Sequence, residues 1–133
     1  LNQPEKALHM TNVFSRATLA PPSGAGSWVF GASLALGRRV LASNPTVNVF
    51  HRGFKACDSY ANGEVAITQI TCPVLFVLGA QDQMTTPKAA QLLLAAARQR
   101  AARTELQMVP VGHHQMTEAP EETLGALRQF LGA

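Results

Sequence analysis

The chain has 133 residues, 47 % of them apolar and 14 % charged, a balance that excludes a disordered polyelectrolyte and is enough for one domain with a buried core. The net charge of +3 comes mostly from arginine, and the basic clusters Arg38-Arg39 and Arg98, Arg100 and Arg103 lack the interleaved aromatics of a nucleic-acid groove, so they are expected on solvated helix faces. The longest apolar stretch, Val74–Ala80, is too short to span a bilayer, and no basic-then-apolar leader opens the chain, so no membrane partner is expected.

Residues 4–19 read as a helix, with Pro4-Glu5 as a first turn and Ala7, Leu8, Met10, Val13 and Phe14 as its apolar stripe. Pro21-Pro22-Ser23-Gly24-Ala25-Gly26 breaks it as a loop. A second helix is expected over 32–43, with Leu34, Leu36, Val40 and Leu41 on its apolar side and Asn44-Pro45 as its end. Residues 46–62 fit a strand or a helix; Phe50, Phe54 and Cys57, spaced by four and three, favour a helix from about Val47 to Tyr60. Cys57 and Cys72 are in neither Cys-x-x-Cys nor metal-ligand spacing, and free thiols in a reducing cytoplasm are expected.

From residue 64 the composition changes. Val74-Leu75-Phe76-Val77-Leu78-Gly79, bounded by Pro73 and Gly79, has the continuous apolar character of a strand buried on both faces. Thr86-Pro87 opens a helix over 87–100, Thr104–Val109 is a second strand, and Pro120-Glu121-Glu122 starts a last helix with Leu124, Leu127, Phe130 and Leu131 on one face. The order is βαβα, which predicts parallel strands and a right-handed crossover. Two strands do not make a stable sheet alone, and Val74–Leu78 reads as an interior strand. The rest of the sheet is therefore expected from an absent part of the domain or from another chain. Leu1-Asn2-Gln3 likewise reads as a start inside a longer polypeptide.

In open parallel sheets, ligands bind beyond the carboxyl ends of the strands. Asp82 lies four residues past Leu78, and His113 four past Val109. If the strands are neighbours, both loops leave the same edge. Asp82 would then accept the His113 Nδ1–H and leave Nε2 as a general base. The plainer alternatives are that Asp82 caps or shapes the following turn, and that His113 is an ordinary loop histidine. His114 adjoins His113, but no Glu-x-x-His or cysteine partner lies near, so no metal is expected. His9 and His51 stand alone and are expected at the surface or the edge of the core.

Val74-Leu75-Phe76-Val77-Leu78-Gly79-Ala80-Gln81-Asp82, then Val109-Pro110-Val111-Gly112-His113, then Glu118-Ala119-Pro120-Glu121, closely resembles the C-terminal part of α/β-hydrolase fold proteins. The resemblance covers residues 70–133. It implies that Asp82 is the acid and His113 the base of a Ser-His-Asp site, and that a His…Glu-x-Pro segment leads into the last helix. Residues 1–63 are similar, more weakly, to the helical cap or lid that many of these hydrolases insert, ahead of a core portion over 64–133. A cap of this kind helps select substrate. Met10, Phe14, Trp28, Phe50 and Phe54 are then candidates for an apolar pocket, with Trp28, Phe50 and Phe54 as the substrate-binding set; the alternative is that they pack the cap's own core.

The family's Gly-x-Ser-x-Gly elbow is missing from the sequence. Its nearest imitation is Gly31-Ala32-Ser33-Leu34-Ala35, with Val29-Phe30 as a very short strand before it. The resemblance thus implies a C-terminal portion of a hydrolase of esters or related acyl or C–C bonds. Its serine and oxyanion donors would come from an N-terminal half, and no cofactor is implied, because the chemistry runs on side chains. The expected partners are a small-molecule substrate and that N-terminal half or a second copy of the chain. The alternative is a non-catalytic truncated hydrolase-like module that self-associates or binds a partner through its exposed sheet edge, and a third reading is a compact hydrolase using Ser33.

Overall fold

A computed structural model of the protein describes residues 3–15 and 25–132, residues 25–29 through their backbone alone. The described residues form a mixed α/β structure of seven helices and one two-stranded parallel sheet. The chain divides into two compact units, one of residues 1–13 and 19–61 and the other of 14–18 and 62–133.

The first unit is helical: α1 (Pro4–Phe14), α2 (Ala25–Ala42) and α3 (Val49–Ser59). Pro4 and Glu5 suit the start of α1, where an N–H is dispensable and a negative charge meets the helix dipole. Leu8 of α1 is buried against Gly37 of α2, where an added Cβ would approach Leu8 Cδ1 to 2.5 Å. The exposed Arg38–Glu5 pair, 2.9 Å apart, adds little to this packing.

The start of α2 departs from the sequence expectation. Ala25-Gly26 and Ser27-Trp28-Val29-Phe30-Gly31, read as loop, are its opening turns. Glycine and serine each lower helix propensity by less than about 1 kcal/mol. No proline interrupts residues 25–42, so the hydrogen-bond ladder can run through them. Residues 16–19 of the first expected helix and Pro21–Gly24 of the expected break lie outside the described residues. The end of α2 is as expected: Ser43 N–H and Oγ both donate to Arg39 O, and Pro45 follows. Asn48 starts α3 from an extended conformation, its side chain accepting the His51 N–H at 3.0 Å.

The second unit contains α4 (Gly63–Ile67), β1 (Val74–Gly79), α5 (Gln91–Arg100), β2 (Thr104–Val109), α6 (Gln115–Glu118) and α7 (Pro120–Leu131). β1 and β2 pair in parallel, in register from Val74 opposite Thr104 to Gly79 opposite Val109. Pairing continues past the strands, because Ala80 N–H donates to Val109 O at 2.7 Å and Gln81 N–H to Val111 O at 3.0 Å. The helix expected from Pro87 begins as a series of tight turns over Thr86–Gln91 and becomes regular only at Gln91. Leu94 and Ala97 of α5, Val109 of β2, Ala119 and Ala126 form the buried core.

Three further expectations need correction. The β1 residues Val74–Leu78 are half-buried rather than interior, and β2 is the only strand beside β1 among the described residues. On α7 the buried side chains are Thr123 and Ala126, whereas Leu124, Leu127 and Leu131 are exposed. A two-stranded sheet offers a narrow face, so small residues let α7 approach while the leucines of the predicted face find nothing to cover. Finally, Arg103 is not on a solvated helix face. It precedes β2, pairs with Glu105 at 3.2 Å, donates to Phe130 O and stacks 4.4 Å from the Phe130 ring. It therefore ties the start of β2 to the end of α7.

Candidate active site

Gly79 and Val109 end the paired strands side by side, and the two following loops leave the same sheet edge. Close approach of these loops requires glycine at position 79: a Cβ there would be 2.0 Å from Gly112 O and 2.7 Å from Val111 O. The loops bring Asp82 and His113 together, His113 Nδ1 being 2.8 Å from Asp82 Oδ2. The Asp82 carboxylate is 2 % exposed and the His113 side chain 35 %. An ionised carboxylate only accepts, so Nδ1 carries the proton of this bond. Nε2 is then the unprotonated nitrogen of the neutral ring, and it makes no hydrogen bond among the described residues.

Asp82 also shapes its own loop, so the plainer alternative holds together with the pairing. Its Oδ1 accepts the N–H groups of Met84 and Thr85 at 2.8 and 3.0 Å. Oδ2, which faces His113, also accepts the Thr85 hydroxyl at 2.9 Å. Thr85 Oγ1 lies 3.1 Å from His113 Nδ1 and so braces the same corner. Burial, the largest single influence, would raise the Asp82 pKa; the hydrogen bonds from His113, from the Thr85 and Met84 backbone and from the Thr85 hydroxyl together outweigh it and hold the carboxyl below its ordinary 3.8.

The histidine loop is fixed from three sides. His113 N–H donates to Ser15 O at 2.9 Å, within the same compact unit. Glu118 straddles His113: Oε2 accepts Gly112 N–H at 3.1 Å and Oε1 accepts His114 N–H at 3.2 Å. The Gln115 carboxamide, oriented to satisfy its neighbours, donates to His113 O at 2.8 Å and accepts from Gly79 N–H at 3.2 Å. Sequence reasoning gave no role to Thr85 or Gln115 and placed Glu118 only within a resemblance. The available signals were a hydroxyl three residues past an aspartate and an acid six residues past the glycine of a Gly-His loop.

The other candidates lie elsewhere. Ser33 is half-buried in the interior of α2, where Val29-Phe30 is helix and not strand. No residue other than glycine has positive φ among the described residues, so the strained turn of a nucleophile elbow is not present there. Phe50 and Phe54 lie on α3 and line a cavity within the first unit. Trp28 is in α2, and its side chain lies outside the described residues. His114 is exposed, its ring edge-on to that of His113 at 5.8 Å. His9 meets Phe30 edge-on at 5.7 Å, and His51 borders the cavity. Among the described residues no three His, Cys, Asp or Glu side chains gather as a metal set, and no helix is long and apolar enough to cross a membrane.

Compared with protein-family models, with curated proteins and with solved structures, the chain gives no match.

Proposed function

We propose that the second unit carries the acid–base half of a Ser-His-Asp hydrolase site on a C-terminal part of an α/β-hydrolase sheet. Asp82 orients His113, and His113 Nε2 takes the proton of a serine supplied from outside this sequence. That serine attacks an ester or a related acyl or C–C bond, and the imidazolium formed is stabilised by the Asp82 carboxylate. The observation that carries the reading is the 2.8 Å Nδ1–Oδ2 bond between a buried carboxylate and a half-exposed ring at the carboxyl ends of adjacent parallel strands. The unoccupied Nε2 supports it, as does the exposed apolar face of α7, which suits a helix of a wider sheet.

The test uses a fluorophosphonate serine probe on the purified chain, with peptide mass spectrometry, alongside NMR of the histidine ring. We expect no labelled serine, Ser33 included, and a downfield Nδ1–H resonance of His113 that disappears in Asp82→Asn. Labelling of Ser33, or a His113 proton indifferent to Asp82→Asn, would overturn the reading.

A second reading is a non-catalytic module that associates through its sheet. The half-buried apolar residues Val74–Leu78 and the unpaired edge of β1 among the described residues favour it. Its self-associating form requires an assembly without any further polypeptide, so a strict monomer at all concentrations by sedimentation would exclude that form and leave only the binding of a different partner at the sheet edge.

A further inference from the structure

The helical unit holds an open-sided cavity of ≈ 520 Å³ whose described lining residues all belong to that unit. Pro4, Ala7 and Leu8 of α1, Leu41 of α2, and Phe50 and Phe54 of α3 form its apolar lining. This volume lies within the range of small-molecule sites, about 300–1,000 Å³. Phe50 and Phe54 are one helical turn apart, so both rings face the same space.

The polar edge consists of Gln3, Thr11, Asn48 and His51. Thr11 is engaged, its hydroxyl donating to Ala7 O at 2.9 Å. Asn48 Oδ1 is engaged by the His51 N–H, which leaves the Asn48 amide to present N–H donors. The His51 ring makes no hydrogen bond among the described residues and keeps at least one N–H whether neutral or charged. Among the described residues no carboxylate lines the cavity.

Charge agrees with this donor-rich edge. The helical unit holds Lys6, Arg38, Arg39, Arg52 and Lys55 against only Glu5 and Asp58, whereas the acids and bases of the other unit balance. The whole excess of +3 thus belongs to the unit that contains the cavity. An anion is drawn to such a surface and a cation is repelled.

We infer that this cavity is a binding site for a small monocarboxylate with an apolar tail. The tail lies against Leu8, Leu41, Phe50 and Phe54, and the carboxylate meets His51 and the Asn48 amide. The inference goes beyond the hydrolase reading and stands without it, because its readout is binding and not turnover.

The test titrates the isotope-labelled full chain with sodium decanoate below its micelle-forming concentration and follows the amide resonances. Decanol and decyltrimethylammonium serve as chain-matched neutral and cationic controls. The expected result is saturable one-site binding with shifts concentrated at residues 3–11 and 48–54. Decanoate should bind roughly tenfold more tightly than decanol, the scale of one hydrogen bond to a charged group. His51→Leu should remove most of that difference. Ala7→Trp should fill the cavity and abolish both, and Phe54→Ala, which removes a wall without adding bulk, should weaken both. Shifts that fail to saturate or spread over both units would overturn the site, as would decanoate binding unchanged in Phe54→Ala. Equal or tighter binding of the cationic control would overturn the assignment of an anion.

Discussion

The two oxygens of Asp82 serve different bonds, so removing its charge and removing its side chain are different experiments. Oδ1 closes a turn on Met84 and Thr85, and Oδ2 receives His113 and the Thr85 hydroxyl. Asp82→Asn keeps an acceptor for the turn. Asp82→Ala leaves the two turn N–H groups and the His113 Nδ1–H without their acceptor. Urea unfolding should show Asp82→Ala less stable than Asp82→Asn by about 1–3 kcal/mol, the range for stranding a partly buried donor. Equal losses would mean that the turn bonds contribute nothing. The carboxyl is held below its ordinary 3.8 in the fold, so between the two values the unfolded chain binds more protons. Its stabilisation is therefore complete above 3.8 and is lost as pH falls below that value through the folded one. Unfolding free energies of wild type and Asp82→Asn should converge over that acid range; parallel curves would refute the linkage. Gly79→Ala should cost about 1–3 kcal/mol or more, because the new methyl meets the backbone of Val111 and Gly112. Gly31→Ala, with nothing within 4 Å of its Cβ position, should be neutral or stabilising by up to about 1 kcal/mol. At this scale Asp82 and His113 were legible, because position past a strand end is a property of sequence order. Gln115 and Glu118 were not, because their roles are bonds to loop backbone whose direction exists only once the loops have closed, and Thr85 was not, because its hydroxyl meets both Asp82 and His113 only in that closed geometry.

At the scale of elements, what the sequence revealed depended on how strong the local pattern was. β1 was legible because the apolar run between Pro73 and Gly79 is too short for a helix and is bounded by two breakers. The starts of α3 and α7 were legible to within two residues, through the four-and-three spacing of Phe50, Phe54 and Cys57 and through a proline at the first position. The start of α2 was not, because Gly26, Ser27 and Gly31 weaken a helix without forbidding it. The buried face of α7 was misread for a different reason. Hydrophobic periodicity reports the face a helix would bury against a full partner, and here the small residues Thr123 and Ala126 meet a sheet of two strands. α3 has no buried residue, so its own cap matters more than in a packed helix. Asn48→Ala should lower stability by about 1 kcal/mol and speed amide exchange at Phe50 and His51, whereas Asn48→Asp should largely preserve both. Unaltered exchange in Asn48→Ala would show that α3 is held by its neighbours instead.

At the scale of the molecule, the balance of covered and uncovered apolar surface decides how the chain behaves in solution. In the second unit Leu131 is 73 % and Met116 74 % exposed, and Leu92, Leu124 and Leu127 are also exposed. Leu124, Leu127 and Leu131 recur at helical spacing and form one stripe along α7. Scattered leucines need no explanation, but a stripe of three beside a two-stranded sheet is a contiguous apolar surface of the kind that is normally covered. The units differ in charge as well: the second has no net charge to oppose association, while the first carries the whole excess. The hydrolase reading covers this surface with the remainder of the sheet, and in the isolated chain another copy can cover it. In isolation the chain should therefore self-associate, with a mass by sedimentation that rises with concentration. Added salt should not dissociate it, because the surface is apolar rather than ionic. The double substitution Leu124→Glu and Leu127→Glu should shift the chain toward monomer. Its unfolding free energy in dilute solution should move by no more than about 0.5 kcal/mol per site, since both side chains are already solvent-facing in the folded chain. If the double variant instead unfolds, Leu124 and Leu127 are part of the core and this face of α7 is not open to solvent. If wild type and variant are both monomers at every concentration, the stripe needs no cover and the self-association reading falls.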